Sequence, residues 1–180
     1  MSGAAINTIN TLFAIGTVIF QALIVLFIVG FLSKDKGKIF AWFSRNTLLF
    51  VFLTSLAGML GSLIYQYVIG YPPCNWCWYQ RTVMYPTAFL TFAALIRKKS
   101  SEIFTYSLIL SIIGAIFGAF QLIERFVGND LTSCEAFGPS CLERLVDKFG
   151  YIDIPVMSLT FFVFMIMLLV NRRRFKSETA

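Results

Sequence analysis

Long stretches without a charged residue are the feature that most constrains how this chain folds. Charge-free stretches cover residues 1–33, 46–80, 82–96, 103–123 and 154–171 of the 180-residue sequence. A helix needs about 20 predominantly apolar residues to cross a bilayer. The second stretch divides at Pro72 and Pro73, because two consecutive prolines cannot continue a helix. The sequence therefore predicts five helices, at about 7–32, 47–69, 74–96, 103–126 and 153–170.

The composition agrees with a chain that is surrounded by lipid. Hydrophobic residues make up 58% of the sequence and charged residues 13%, whereas a soluble domain has roughly 45–50% and about 25%. The sequence contains no histidine, which excludes Ser–His and Cys–His catalysis and histidine ligands for metals or haem. We predict an all-α fold, a polytopic membrane helix bundle with five spans.

The positive charges predict the orientation of the chain. Eleven of the 15 Lys and Arg residues fall in the first loop, the third loop and the C-terminal tail. They are Lys34, Lys36, Lys38, Arg45, Arg97, Lys98, Lys99, Arg172, Arg173, Arg174 and Lys176. In a five-helix chain these segments share one side, which the positive-inside rule identifies as cytoplasmic. The N-terminus and the 127–152 loop then face outward, and the net charge of +6 reflects topology rather than nucleic-acid binding.

The first helix is predicted to be a retained anchor. A cleaved signal peptide carries positive charge before its apolar run, but residues 1–7 have none and cations follow the helix instead. We therefore divide the chain in two. Residues 1–45 form an N-terminal transmembrane anchor with a cytoplasmic loop, and residues 46–180 form a four-helix domain with the outer loop 127–152.

Small residues along the fourth helix form a ridge that lets another helix approach closely. They are Ser107, Ser111, Gly114, Ala115, Gly118 and Ala119. We interpret this ridge as plain packing within the bundle.

All four cysteines fall at outward positions. Cys74 and Cys77 begin the third helix, and Cys134 and Cys141 lie in the last outer loop. An outward thiol in a bacterial or secretory setting meets oxidising conditions, in which disulfides persist. Two pairs are the natural arrangement, although four cysteines allow three connectivities.

The spacing Cys74-Asn75-Trp76-Cys77 suggests redox chemistry. A thiolate at a helix start is favoured by the dipole and by the unpaired N–H groups of the first turn, and Cys-x-x-Cys pairs of this kind exchange readily. One alternative is a pair of static disulfides that brace the outer face. A Cys₄ zinc site is a second alternative, for which the spacing of Cys134 and Cys141 is poor.

Arg81 lies four residues after Cys77, and so on the same face of the helix, about one turn deeper. An arginine in a transmembrane helix costs roughly 2–3 kcal/mol, less near an end, and such residues tend to be functional. We expect Arg81 to stabilise a Cys77 thiolate and the negative charge that develops on an electron acceptor in the bilayer. The alternatives are that it snorkels to the outer head groups or pairs with Glu124.

The outer loop also carries a helical pattern. Apolar residues recur at i, i+3, i+4 and i+7, namely Leu142, Leu145, Val146 and Phe149. This spacing predicts a short amphipathic helix on the outer membrane surface. It would either hold Cys141 near the third helix or merely cap the bundle.

Residues 74–81 read Cys-Asn-Trp-Cys-Trp-Tyr-Gln-Arg, and Met-Tyr-Pro follows at 84–86. Together with Ile-Gly-Ala at 113–115, the later cysteine pair and Gly-Tyr-Ile-Asp-Ile-Pro at 150–155, this string resembles the signature of the DsbB/BdbC family of quinone-dependent thiol oxidases. The resemblance covers about residues 46–170. The Cys-x-x-Cys pair also precedes the loop pair, whereas relatives of vitamin K epoxide reductase have the opposite order.

The resemblance implies a division of labour among the cysteines. The reduced thiol of a thioredoxin-like (DsbA-like) partner would attack Cys134, and Cys141 would resolve that mixed disulfide or exchange with Cys74. Cys77 would face the quinone, either ubiquinone or menaquinone, and Arg81 would stabilise its thiolate and the reduced quinone. The location implied is the bacterial inner (plasma) membrane, in contact with lipid and with the redox cysteines outside.

Two features depart from the family pattern. The family core has four spans, so the resemblance implies a four-helix thiol oxidase core with one added N-terminal transmembrane helix, which has no assigned role. Many relatives carry a histidine near the outer end of the fourth helix, where Gln121 stands here. Gln121 can hydrogen-bond a quinone carbonyl but is not a proton donor near neutral pH. The source of the quinone's protons is therefore open, and Glu124, one turn further out, is one candidate.

The function predicted is that of a membrane thiol:quinone oxidoreductase. It would reoxidise a thioredoxin-like disulfide donor outside the cytoplasm and pass two electrons to a membrane quinone. The alternative is a structural membrane protein with two static disulfides on its outer face. Aromatic residues near the cysteine pair would form an interfacial belt or wall a quinone pocket, and these are Tyr71, Trp76, Trp78, Tyr79 and Tyr85.

Overall fold

A computed structural model of the chain describes residues 2–33, 37–97, 101–128 and 144–176. These residues form six α-helices, which are α1 (Gly3–Leu32), α2 (Lys38–Arg45), α3 (Thr47–Leu63), α4 (Asn75–Arg97), α5 (Ser101–Val127) and α6 (Ile154–Lys176). A π-helical turn, Ile64–Ile69, continues α3. Within the described ranges, β-pairing is limited to one isolated bridge. The predicted all-α fold is confirmed.

Four of these helices are long and apolar enough to cross a membrane. They are α1, α3 with its π-helical turn, α5 and α6. The fifth predicted span corresponds to α4, which has 23 residues but does not reach the same hydropathy, because Gln80, Arg81 and several threonines interrupt its apolar residues. The prediction of an all-α membrane bundle is confirmed, and α4 packs inside that bundle between α3 and α5.

The C-terminal end of α6 ties two other elements together. Although the prediction ended this helix at residue 170, it continues to Lys176. Arg172 Nη1 donates to the Ser44 carbonyl at 3.0 Å, and Arg174 Nη1 donates to the Gly30 carbonyl at 3.3 Å. These bonds supply partners for the charged groups, so the helix extends beyond its apolar segment.

The short helix α2 was not predicted, because its eight residues are too few to register in a search for spans. Its buried residues Phe40 and Phe43 pack against Phe27 of α1, with ring centroids 5.7 and 5.3 Å from that ring. The opposite face exposes Trp42 and Ile39. The helix is therefore amphipathic and covers the end of the bundle.

The apolar core is centred on α6. Its buried side chains Phe162, Phe164 and Leu168 belong to one cluster that also contains Phe27 of α1 and Val51 of α3. Residues from the first and last helices therefore share one core, and α1 packs against α6.

The ridge of small residues on α5 faces α6, as the packing interpretation predicts. A Cβ atom added at Gly114 would overlap the ring of Phe162, and one added at Gly118 would lie 3.3 Å from the Cα atom of Leu159. Ser107 and Ser111 extend the same buried stripe. The two alanines of the ridge are only half-buried.

The chain breaks between α3 and α4 where the two prolines predicted it. Gly70 ends the π-helical turn in the left-handed region, at φ +89°, a conformation that glycine adopts without steric cost. Pro72 and Pro73 then keep the chain out of a helix until Asn75. This break places Cys74 at the start of α4.

The prediction of an amphipathic helix from Leu142 onward is wrong for residues 144–149, the part of that segment that the structure describes. The chain instead makes a tight turn in which Lys148 and Ile152 exchange backbone hydrogen bonds of 2.9 and 2.8 Å. Phe149 and Gly150 have positive φ angles, which a right-handed helix does not allow. Asp153 follows the turn and caps α6 by accepting a hydrogen bond from the Val156 N–H at 2.9 Å.

We expect Gly114→Val to destabilise the bundle, because its side chain would collide with the Phe162 ring. Overpacking of this kind lowers the free energy of unfolding by about 1–3 kcal/mol. The measurement is the loss of helical circular dichroism during titration of the detergent-solubilised protein with SDS. Gly16→Val on α1 is the matched control, because a Cβ atom there meets nothing within 4 Å. Equal midpoints for the two variants would contradict the packing assigned to α5.

Candidate functional site

The first two cysteines stand at the N-terminus of α4. Cys74 directly precedes the helix and Cys77 is its third residue, so both sulfur atoms are near the partial positive charge of the helix start. The two Sγ atoms lie 3.4 Å apart. Cys74 is buried and Cys77 half-buried. This arrangement favours thiolate chemistry at Cys77, which is the more accessible sulfur of the two.

Gln121 of α5 lies against both sulfur atoms. Its Nε2 group is 3.5 Å from Cys74 Sγ and 3.9 Å from Cys77 Sγ. The side chain is 2% exposed, so water competes little for these contacts. An N–H donor stabilises a sulfur anion more than a neutral thiol. Gln121 is therefore placed to stabilise a thiolate on either cysteine.

Two further side chains orient the Gln121 amide. Gln80 Nε2 donates to Gln121 Oε1 at 2.9 Å, and Ser158 Oγ donates to Gln80 Oε1 at 2.6 Å. With its oxygen accepting from Gln80, Gln121 presents its N–H donors to the sulfur atoms. We call Ser158, Gln80 and Gln121 the amide chain; it joins α6, α4 and α5. Sequence reasoning assigned no role to Gln80 or Ser158, although Gln80 lies inside the motif.

Arg81 is buried, with 8% of its surface exposed. Its Nη1 atom donates to Gln66 Oε1, and its Nη2 atom donates to the Ser62 carbonyl at 3.1 Å. The guanidinium also lies 5.1 Å from the centre of the Trp78 ring. Gln66 belongs to the π-helical turn, a local widening often found at functional sites. Sequence reasoning did not identify Gln66, because nothing nearby in the sequence indicates its contact with Arg81.

The partners of Arg81 are uncharged. No carboxylate in the part of the chain that the structure describes forms an ion pair with it, so the predicted alternative of pairing with Glu124 is wrong. Its burial also excludes snorkelling to the head groups. A positive charge held by neutral acceptors attracts negative charge that forms beside it.

Glu124 is 1% exposed and accepts a hydrogen bond from Trp76 Nε1 at 2.6 Å. The Trp76 ring stacks on Phe120, with centroids 5.9 Å apart. The neighbouring residue Arg125 forms an ion pair with Asp153. Glu124 therefore connects α5 to the first turn of α4, one turn of α5 beyond Gln121.

A cavity of about 330 Å³ opens beside the cysteine pair. Its walls are mostly apolar and come from α1, α3, α4 and α6, while Cys77, Arg81, Gln80 and Gln121 supply polar groups. This combination of apolar walls with a few polar groups is typical of small-molecule sites, and the volume lies at the lower end of their usual range.

The predicted site residues divide into three groups. Cys74, Cys77, Arg81 and Gln121 all line the cavity, whereas Glu124 does not. Of the five aromatic residues considered for its walls, Tyr71 alone lines it, and the other four are described residues that lie elsewhere. Cys134 and Cys141 lie outside the described residues.

The chain is similar to known proteins across most of its length. A family model described as "Disulfide bond formation protein DsbB" matches residues 44–171. A "Probable disulfide formation protein C 2" of Bacillus anthracis is 36% identical over 114 residues, which cover 63% of this chain and 80% of that relative. A "Probable disulfide formation protein C" of Halalkalibacterium halodurans is 33% identical over 135 residues, which cover 72% of this chain and 96% of that relative.

A third relative is the "SPbeta prophage-derived disulfide bond formation protein B" of Bacillus subtilis. It is 32% identical over 114 residues, which cover 63% of this chain and 76% of the relative. No solved structure matches the chain significantly. The segment matched by the family model begins at the end of α2 and ends in α6, so it contains the cysteine pair, Arg81 and Gln121 but not α1.

We expect Gln121→Leu to make the cysteine pair less reactive, because the substitution removes the N–H donors from both sulfur atoms. A hydrogen bond to a charged group contributes about 1.5–3 kcal/mol, which corresponds to a rate of alkylation at least about tenfold lower at neutral pH. The measurement is the rate of iodoacetamide labelling of Cys74 and Cys77 after reduction, in a variant that carries Cys134→Ser and Cys141→Ser.

Gln21→Leu is the matched control for this experiment. It removes a half-buried amide of α1 that contacts Thr160 and not the sulfur atoms. An unchanged labelling rate in Gln121→Leu would show that the amide chain does not act on the cysteines.

Proposed function

Because the chain belongs to the DsbB family of disulfide bond formation proteins, we propose that it is a membrane thiol:quinone oxidoreductase. It is a multi-pass membrane protein of the family that forms disulfide bonds. The observation that supports a quinone as the electron acceptor is that Cys77 and Arg81 line one cavity, in a bundle of apolar helices. A thiol oxidase needs this juxtaposition of an electron-donating sulfur, a positive charge and room for an apolar acceptor.

The cavity suits the head group of a membrane quinone, either ubiquinone or menaquinone. Its apolar walls match the ring, and Arg81 and Gln121 supply N–H donors for the ring carbonyl oxygens. A bound quinone would provide the oxidising power of the reaction, since its reduction takes up two electrons and two protons. The protein residues position that group beside Cys77 and exclude water.

The thiol chemistry proceeds by exchange at the cysteines. A partner thiolate attacks Cys134 of a Cys134–Cys141 disulfide, which releases Cys141 as a thiolate. The second partner thiol then attacks the mixed disulfide, so the partner leaves oxidised and the loop pair is left reduced. Cys141 in turn attacks Cys74 of a Cys74–Cys77 disulfide, which releases Cys77 as a thiolate. Cys134 then attacks Cys141 of the Cys141–Cys74 mixed disulfide, which restores the loop disulfide and releases Cys74. Cys74 and Cys77 are thereby left reduced, and their disulfide would form again as a bound quinone took up the two electrons.

Arg81 and Gln121 act on the thiolate that this exchange releases. The guanidinium stabilises negative charge in the cavity, because its bonds to Ser62 and Gln66 leave its charge uncompensated. The Gln121 amide donates toward the same sulfur atom. The positive charge of Arg81 in the cavity and the contact of Gln121 with the sulfur atom both favour the disulfide exchange that produces a Cys77 anion rather than a thiol.

We propose Glu124 as the proton source for the reduced acceptor. The supporting observations are its burial and its hydrogen bond from Trp76, which neighbours Cys77 in the sequence. Gln121 cannot serve, because a carboxamide has no exchangeable proton of suitable acidity near neutral pH. Because Glu124 lies outside the cavity wall, its proton would move through a bridging water molecule.

The partner that we propose is a thioredoxin-like thiol oxidase outside the cytoplasm of a bacterial cell. The distribution of cations supports this orientation in the plasma membrane. The bonds of Arg172 to Ser44 and of Arg174 to Gly30 bring the C-terminal cations to the end of the bundle that carries the first loop. The cysteine pair begins α4, on the far side of the turn that follows α3.

The direct test is quinone reduction by the purified protein in detergent. Wild type, supplied with a reduced DsbA-like oxidase and decylubiquinone, is expected to reduce the quinone, followed by absorbance. Cys77→Ser abolishes the reaction, because no sulfur remains to deliver electrons to the cavity. Arg81→Ala lowers its rate about tenfold or more, since a charged hydrogen-bond donor is lost.

Arg45→Ala is the control, because Arg45 is an exposed arginine at the end of α2. Its activity should equal that of wild type. No reduction of decylubiquinone or menadione by wild type, with both disulfides intact, would favour the alternative of a structural protein with static disulfides.

A further inference from the structure

Helix α1 lies outside the segment that matches the family model, yet it forms one wall of the cavity. Its cavity-lining residues are Leu12, Phe13, Gly16, Thr17 and Phe20. We propose that α1 is a binding element of the acceptor site, so that the quinone head group is held between α1 and the face of α4 that carries Cys77 and Arg81. This inference rests on the proposed thiol:quinone activity and assigns the added helix a role in it.

The position of α1 at the cavity is held by contacts with α6 and the outer turn. Phe20 stacks on Phe164 with ring centroids 4.6 Å apart. Gln21 Nε2 donates to Thr160 Oγ1 at 3.3 Å, and Gln21 Oε1 accepts from the Tyr151 hydroxyl at 2.8 Å. Because both the oxygen and the nitrogen of the Gln21 amide are hydrogen-bonded, the rotation of α1 and its position along its axis are fixed relative to α6 and the outer turn. The cavity-lining face of α1 is therefore a defined surface rather than a passing contact with lipid.

The contact of Phe13 of α1 with α3 and its π-helical turn forms one part of the cavity wall. The Phe13 ring lies 5.2 Å from the Tyr65 ring, and its edge fills the space in which a Cβ atom of residue 61 would stand. Gly61 thus permits the approach of Phe13 to α3. Phe13 and Tyr65 both line the cavity, so this aromatic pair forms part of its wall.

The wall that α1 contributes is chemically apolar. Thr17 is its polar member, and the Thr17 hydroxyl already donates to the Phe13 carbonyl at 2.9 Å. The wall therefore offers rings and methyl groups to its ligand, while the charge and the hydrogen-bond donors come from α4 and α5. A flat, uncharged ring with polar oxygen atoms at its edge matches both faces, whereas a charged ligand would not match the α1 face.

Gly16 leaves room at the centre of this wall. It lines the cavity, and a Cβ atom added there meets nothing within 4 Å. A larger side chain at residue 16 can thus extend into the cavity without moving the backbone. The size of the side chain at residue 16 therefore determines how much of the cavity remains for the ligand.

The test is a size series at residue 16, comprising Gly16→Ala, Gly16→Leu and Gly16→Phe, in the full-length protein. The readout is the Kd of decylubiquinone, measured by quenching of tryptophan fluorescence, with no thiol donor present. The Kd is expected to rise with side-chain size, by about tenfold or more for Gly16→Phe, the effect of overpacking a site. Ile19→Phe is the matched control, because Ile19 is 54% exposed on the lipid side of α1 and does not line the cavity; its Kd should stay within about twofold of wild type.

The outcomes separate this inference from the proposed function. If wild type binds decylubiquinone and the whole series binds it equally well, α1 is not part of the site, and the thiol:quinone proposal stands without it. If wild type binds neither decylubiquinone nor menadione, both proposals are overturned. Helical circular dichroism identifies any variant that fails to fold, and the Gly16→Leu value then decides the result.

Discussion

The amide chain is the interaction on which the rest of the site depends. Ser158, Gln80 and Gln121 link α6, α4 and α5 by hydrogen bonds of 2.6 and 2.9 Å, and the chain ends against both sulfur atoms. Leaving a buried amide without its hydrogen-bond partner costs about 1–3 kcal/mol. The three helices are therefore held in the relative position in which all three side chains of the amide chain are paired. This contact lies near the N-terminus of α4. The packing of the bundle is thereby coupled to the environment of the cysteines.

Arg81 supplies a positive charge to a cavity whose other lining residues are not Asp, Glu, Lys or Arg. In an apolar bundle a guanidinium needs acceptors for its N–H groups, and Ser62 and Gln66 provide them without neutralising it. The two cysteines, this charge and the cavity thus occur together at the start of α4. Such an arrangement stabilises a reactive anion more than a neutral side chain, which is the requirement for electron transfer from sulfur to an acceptor.

Local features of the sequence predicted most of the helices, whereas contacts between residues far apart in the sequence were not predicted. Apolar stretches and the Pro72–Pro73 break indicate helices because hydropathy and proline geometry act within a few residues. The contact of Ser158 with Gln80 joins positions 78 residues apart, and no local pattern reveals it. The helix predicted from Leu142 failed in residues 144–149 because the same apolar spacing also suits a tight turn with Val146 buried. The cavity wall on α1 could not be predicted either, because it depends on the packing of α1 against α3 and α6.

Photolabelling with an azido-quinone tests most directly whether the acceptor binds beside Cys77. The protein would be illuminated in detergent with the label, digested and analysed by mass spectrometry. Binding of the acceptor at this site predicts labelled peptides from residues 77–84 of α4 and 12–20 of α1, and competition by excess decylubiquinone. Labels confined to lipid-facing side chains such as Phe89 and Phe126, which are 64% and 83% exposed, and unaffected by the competitor would contradict it.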